Sequence, residues 1–205
     1  MDCLANVAVP LFATLRQDLT ACFPKYSRRL TATSETNITP EYRSNSGRNP
    51  AKQLAFTLVD RIAIITGGGF LAPVARRWKA QLNENGKAAA AFDELPEATH
   101  NTVVGFEQPE SLRDHLVVVF LTSTLDHPRT LLRAGVIAGL LASANVAHEV
   151  VEATGTGRLG HALSTISLGD YVSVYVAFMY AVDPTPVVAI DHIKARLAEA
   201  DAPSA

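Results

Sequence analysis

Two side chains able to move a proton stand close together in the sequence, and packing demands neither of them. They are Glu84 in "QLNENGK" and, sixteen residues on, His100 in "PEATHN". Plotting the segment from Phe70 at about 100° per residue gathers Leu71, Val74, Ala75, Trp78 and Leu82 on one apolar stripe, and Glu84 falls off it towards Arg77. Glu84 also lies in the last turn of that helix, where the dipole opposes a carboxylate and a Lys or Arg would be better placed. One account is a solvated glutamate beside an Asn85-Gly86 helix stop. The other is a general base, since functional sites are where local rules are broken. His100 follows Pro96, which suits a turn. It reads either as a surface or satisfied core histidine or as an acid-base group working near neutral pH.

A third feature is "TGGGF", Thr66 to Phe70, which follows an apolar run and opens the helix. The amides of Gly67 and Gly68 could receive an anion there. The pattern is not Gly-x-Gly-x-x-Gly, because Leu71 and Ala72 follow Phe70, and it is not a P-loop. Tight-turn packing is the competing reading. The histidines form no metal motif and Cys3 and Cys22 have no ligand or redox spacing, so no metal and no cofactor are expected.

The elements that must position these groups follow from the pattern of apolar residues. A short helix at "NPAKQLAFTLVD" leads into "RIAIITGGGF", a buried apolar run ending in glycines. Strand-like runs recur at 88–92, 116–121 and 146–151, separated by helix-length segments at 70–83, 127–144 and 157–181. This alternation predicts a mainly parallel sheet with helices on both faces. A last helix in "TPVVAIDHIKARLAEA" is expected to take Thr185 as its cap and Pro186 as its first residue. Residues 1–48 are polar and proline-punctuated apart from an apolar face at Val9, Leu11, Phe12, Leu15 and Leu19; they read as an N-terminal arm and linker, with the domain at 49–200.

With 205 residues, of which 48% are apolar, the chain is suited to one well-buried domain. A formal charge of −2 with scattered basic residues gives no footprint for nucleic acid. Two unpaired-looking cysteines fit a reducing cytoplasm, and the first residues lack the basic start of a signal peptide. The apolar run Tyr171 to Val182, bracketed by Asp170 and Asp183, reads as too short to span a bilayer, so no membrane is expected.

Five separated motifs, "NPAKQLA", "GGFLAPVARRWKAQLNENGK", "ELPEATHN", "TLDHPR" and "LGDYVSVYVAFMYAVDPTPV", occur in order from Asn49 onward. Together they resemble the carboxyl-terminal half of the bifunctional phosphoglucose/phosphomannose isomerases, which carry two sugar isomerase (SIS) domains in tandem. The resemblance implies a three-layer, flavodoxin-like SIS domain of α/β class. It also implies that Glu84 moves the proton between C1 and C2 of a sugar phosphate while His100, supplied by a neighbouring subunit, helps open the ring. Lys194 in the last helix corresponds loosely to a lysine that approaches the substrate, and Asn83, Asn85, Gly67 and Gly68 are candidate substrate contacts. The Ser/Thr-rich loops with which the first SIS domain holds the phosphate are not found in this sequence. Much of the driving binding energy comes from that phosphate, so little activity is expected of the chain alone. A homodimer or a separate SIS-domain chain is the expected partner. The alternatives are a sugar-phosphate-binding or oligomerising SIS module without turnover and, less favoured, a nucleotide-binding doubly wound domain.

Overall fold

The computed structural model of the chain describes residues 49–201, so the expected arm at 1–48 lies outside the described residues. Helix α1, Pro50–Leu58, begins where the sequence provides a cap: the Asn49 carboxamide oxygen accepts from the amides of Ala51 (3.0 Å) and Lys52 (3.2 Å), and Pro50 occupies the first helical position. Its buried residues Ala51, Leu54, Ala55 and Leu58 repeat at helical spacing.

Four parallel strands follow: β1 Ile62–Gly68, β2 Ala90–Leu95, β3 Leu116–Thr122 and β4 Ala147–Glu152. They lie in the order β2-β1-β3-β4, so the path reverses between β1 and β3. The two central strands are the near-continuous apolar runs, whereas the edge strands β2 and β4 are only partly buried. Side-chain alternation sends Ala63, Ile65, Val117 and Val119 to one face, and Ile64, Val118 and Phe120 to the other.

The first face is covered by α1, α2 (Ala72–Glu84) and α5 (Gly157–Met179). The second is covered by α4 (Pro128–Ser143) together with the short helix α3 (Thr102–Gly105) and its preceding turn. The expected three-layer architecture is therefore present, and all five residues of the α2 stripe are buried. Trp78 packs against α5, its indole N–H donating to the Thr165 carbonyl at 2.9 Å. A Cβ at Gly169 would come within 2.3 Å of the Trp78 ring nitrogen, so only glycine fits that crossing.

Two expectations are corrected. The last helix, α6, spans Val188–Ala200, so neither Thr185 nor Pro186 begins it. The Asp183 carboxylate accepts from the Thr185 amide at 2.8 Å and draws that segment into a turn ahead of the helix. The apolar run at 171–182 is continuous, through its residues up to Met179, with a 23-residue helix that is long and apolar enough to cross a membrane. More than half of its apolar window is buried inside the fold against α1 and α2, the placement of a central core helix.

Candidate active site

Helix α2 ends on Glu84, and the turn after it is held from several directions. The Asn83 amide donates to the Ala88 carbonyl at 2.9 Å. The Asn85 amide reaches both the Gln81 side chain (3.3 Å) and the Ser173 hydroxyl of α5 (3.1 Å). Lys87 takes a left-handed backbone, φ 53°, and its ammonium donates to the Glu84 carbonyl and to Pro184 O at 3.2 Å. That cation answers the helix dipole that the Glu84 carboxylate opposes. Gly86 is not the left-handed residue of the stop; it is glycine because a Cβ would lie 2.7 Å from the Leu82 carbonyl and 3.3 Å from Val176. Glu84 itself points into solvent, with no side-chain hydrogen bond or ion pair among the described residues.

The structure does not bring Glu84 and His100 together. Helix α2 runs back along the sheet, so Glu84 stands at the amino-terminal edge, while His100 follows β2 at the carboxyl-terminal edge and is exposed. The six residues of β2 at about 3.3 Å each separate them by roughly 20 Å, too far for one six-carbon sugar to touch both. Lys194 lies on α6, which buries none of its residues. Gly67 and Gly68 have packing reasons to be glycine: their Cβ atoms would meet Leu71 O at 2.9 Å and the Thr130 methyl at 2.7 Å. Among the described residues no group of three His, Cys, Asp or Glu is placed to hold a metal.

Residues 47–197 match the family described as the bacterial phospho-glucose isomerase C-terminal SIS domain. The chain belongs to this family. It is 39% identical over 153 residues to a bifunctional phosphoglucose/phosphomannose isomerase of Caldicellulosiruptor bescii, covering 74% of this chain and 45% of that protein. It is 35% identical to the protein of the same name from Aquifex aeolicus, covering 73% and 47%. The chain thus spans less than half the length of these relatives. Among solved structures, a glucose-6-phosphate isomerase like protein of Thermus thermophilus matches with a TM-score of 0.56 at 26% identity, over 66% of this chain and 45% of that one. An Escherichia coli protein solved in complex with A5P matches with a TM-score of 0.53, over 80% and 92%; at 15% identity this likeness shows the fold alone.

Two arrangements in this SIS domain escaped the reading of the sequence. In the α2–α5 seam, buried Asp170 accepts from Gln81 at 2.6 Å and from Arg77 at 3.4 Å, and its main-chain carbonyl accepts from the Ser173 hydroxyl at 2.8 Å. Burial pushes its carboxyl above the usual 3.8, with Arg77 and Gln81 pulling the other way. At the carboxyl edge, Ser123 Oγ lies 2.8 Å from His161 Nδ1 and accepts the Leu125 amide at 2.9 Å. A serine 1% exposed beside a histidine 7% exposed is closed to substrate, so this pair fastens the β3 loop to the start of α5. Both pairings join positions far apart in the chain, and only the i, i+4 spacing of Arg77 and Gln81 was visible beforehand.

Proposed function

We propose that the chain supplies the proton-transfer half of a sugar-phosphate aldose-ketose isomerase, interconverting glucose 6-phosphate or mannose 6-phosphate with fructose 6-phosphate through an enediol. Glu84 is the base, carrying the proton between C1 and C2. His100 of a second copy, or its counterpart on a partner SIS chain, assists ring opening. The observation that carries this reading is the braced turn: Asn83, Asn85 and Lys87 are tied to the chain's own carbonyls and hydroxyl, and Glu84 is presented outward with no side-chain partner among the described residues. A base must sit within hydrogen-bond reach of a carbon acid in a fixed place, and this turn fixes it. Closure by a substrate and a second subunit would desolvate the carboxylate and raise its basicity. An exchange at C2 that does not discriminate between the two faces there admits both epimers. Asn83 and Asn85 act by holding the turn, each keeping a carboxamide oxygen with which to meet a sugar hydroxyl.

The test supplies the amino-terminal half of a tandem relative in trans and follows fructose 6-phosphate conversion. Glu84→Gln should remove nearly all turnover, because an amide does not accept the carbon proton. His100→Ala should be milder on open-chain substrate. Mixing Glu84→Gln with His100→Ala chains should restore part of the rate, since some sites would then combine an intact Glu84 with an intact His100. An undiminished rate in Glu84→Gln would remove the assignment of the base. The second reading, a binding or oligomerising module without turnover, is favoured by the carboxyl edge, where the glycines of β1 pack closely and Ser123 is locked. It predicts sugar-phosphate binding with no conversion in any mixture.

A further inference from the structure

At the amino-terminal edge of the sheet, beside the Glu84 turn, lies a depression of about 590 Å³ bordered by Asp60, Arg61, Gly86, Lys87, His115 and Tyr180. Its volume falls in the range that small-molecule sites occupy, roughly 300–1,000 Å³. Three of these residues are basic and one is acidic, in a chain whose formal charge is −2.

The cations are held by carbonyls rather than by direct ion pairs, although the Asp183 carboxylate, held low chiefly by the Thr185 amide, also feels the charge of Lys87. Arg61 donates to the carbonyls of Thr57 (2.7 Å) and Asp114 (3.3 Å), which leaves donors of its five-proton fork unspent. Lys87 donates to the carbonyls of Glu84 and Pro184, with a third proton remaining. Neither has a carboxylate within ion-pair distance among the described residues. The Tyr180 hydroxyl accepts the Asp60 amide at 2.6 Å and keeps its own proton to give, and His115 Nδ1 lies 3.4 Å from Asp60 O, leaving Nε2 available. Helices α1, α2 and α5 all end at this edge, and their carbonyl ends oppose an anion. Arg61 and Lys87 bind carbonyls at those same ends, so part of that opposition is already spent.

We infer that this depression binds a phosphorylated small molecule, with Arg61, Lys87 and His115 holding the phosphoryl group and the remaining space taking the organic part. Donors set on three separate segments, ahead of β1, β2 and β3, suit a tetrahedral oxyanion better than a planar carboxylate, and a guanidinium fork matches two of its oxygens. Because Lys87 also binds the Glu84 carbonyl, occupancy here bears directly on the turn that carries the proposed base. The site does not depend on Glu84 being a base, so the two readings stand or fall separately.

The test is an amide-resolved NMR titration of the full chain at low ionic strength, with inorganic phosphate and with fructose 6-phosphate. Saturable shifts are expected at residues 60–62, 86–89 and 115, with a dissociation constant on the order of 1 mM for the sugar phosphate and weaker binding of inorganic phosphate. Arg61→Gln and Lys87→Gln should each weaken binding about tenfold, as loss of one charge-assisted contact does, while Arg76→Gln, at an exposed position of α2, should leave it unchanged. The spectrum of each variant reports whether it folds, and Lys87→Gln, altered at an exposed side chain, keeps the test available should Arg61→Gln fail to fold. Absence of saturable shifts, shifts centred on Gly67–Phe70 instead, or undiminished binding by the folded Lys87→Gln chain would overturn the site. Inorganic phosphate binding as tightly as the sugar phosphate would overturn the claim on the organic part.

Discussion

Asp170 carries a charge where burial resists one, 5% exposed between two helices. Its carboxyl is raised above the ordinary 3.8 chiefly by that burial, so the folded state holds the proton more readily than the unfolded chain does. The sign follows: this group's contribution to stability is greatest below pH 3.8, declines as pH climbs through the raised folded value, and is level beyond it. Asp170→Asn, which keeps an oxygen for Gln81 and cannot ionise, should equal the wild type in acid and be at least as stable near neutrality. Urea unfolding of both proteins below pH 3.8 and near neutral pH checks this. A deficit in the variant that appears only near neutrality would show that the Arg77 pairing outweighs the burial. One residue earlier the constraint is steric. Gly169→Ala drives a methyl into Trp78, and overpacking of about 1–3 kcal/mol should exceed the helix propensity gained, at most about 1 kcal/mol. Fluorescence of Trp78, the one tryptophan in the chain, reports both the unfolding midpoint and any displacement of the ring.

Elements whose determinants are local were legible in advance, and those set by distant partners were not. The start of α1 is local: Pro50 and the apolar spacing marked the helix in the sequence, the structure adds Asn49 as its cap, and Asn49→Ala should cost about 1 kcal/mol in chemical denaturation. The parallel sheet and the α2 stripe were equally readable, because strand alternation and the 3.6-residue period are written in single segments. The start of α6 was misplaced because Asp183 captures the Thr185 amide, a turn that competes with capping in the same few residues. The proposed site divides in the same way. The anomaly of Glu84 at a helix end showed in the sequence, but the bracing of its turn depends on Ser173 and Pro184, some ninety residues away, and only folding brings them near. The left-handed Lys87 was hidden for a related reason: glycine at 86 suggested itself as the αL residue, whereas close approach to Leu82 and Val176 is what requires it.

For the whole molecule, the governing facts are surfaces that a single copy leaves bare and a proposed site whose two proton-moving groups stand at opposite edges of one sheet. Helix α4 exposes Leu132 (67%), Val136 (56%) and Leu140 (52%) at i, i+4, i+8, with open space above Gly135 and Gly139 where another backbone could approach. That face lies on the same side of the sheet as the turn leading to His100. An apolar helix stripe of this length is expected to be covered by protein in use. A second copy is the occupant that the split between Glu84 and His100 calls for, since it completes a site that one copy leaves open. Light scattering should therefore show a dimer or larger assembly. Leu132→Glu combined with Val136→Glu should shift it to monomer while the unfolding midpoint of the folded unit moves little, because both side chains already face solvent. A wild-type chain that stays strictly monomeric at high micromolar concentration would count against a second copy both as the cover of this face and as the source of the histidine.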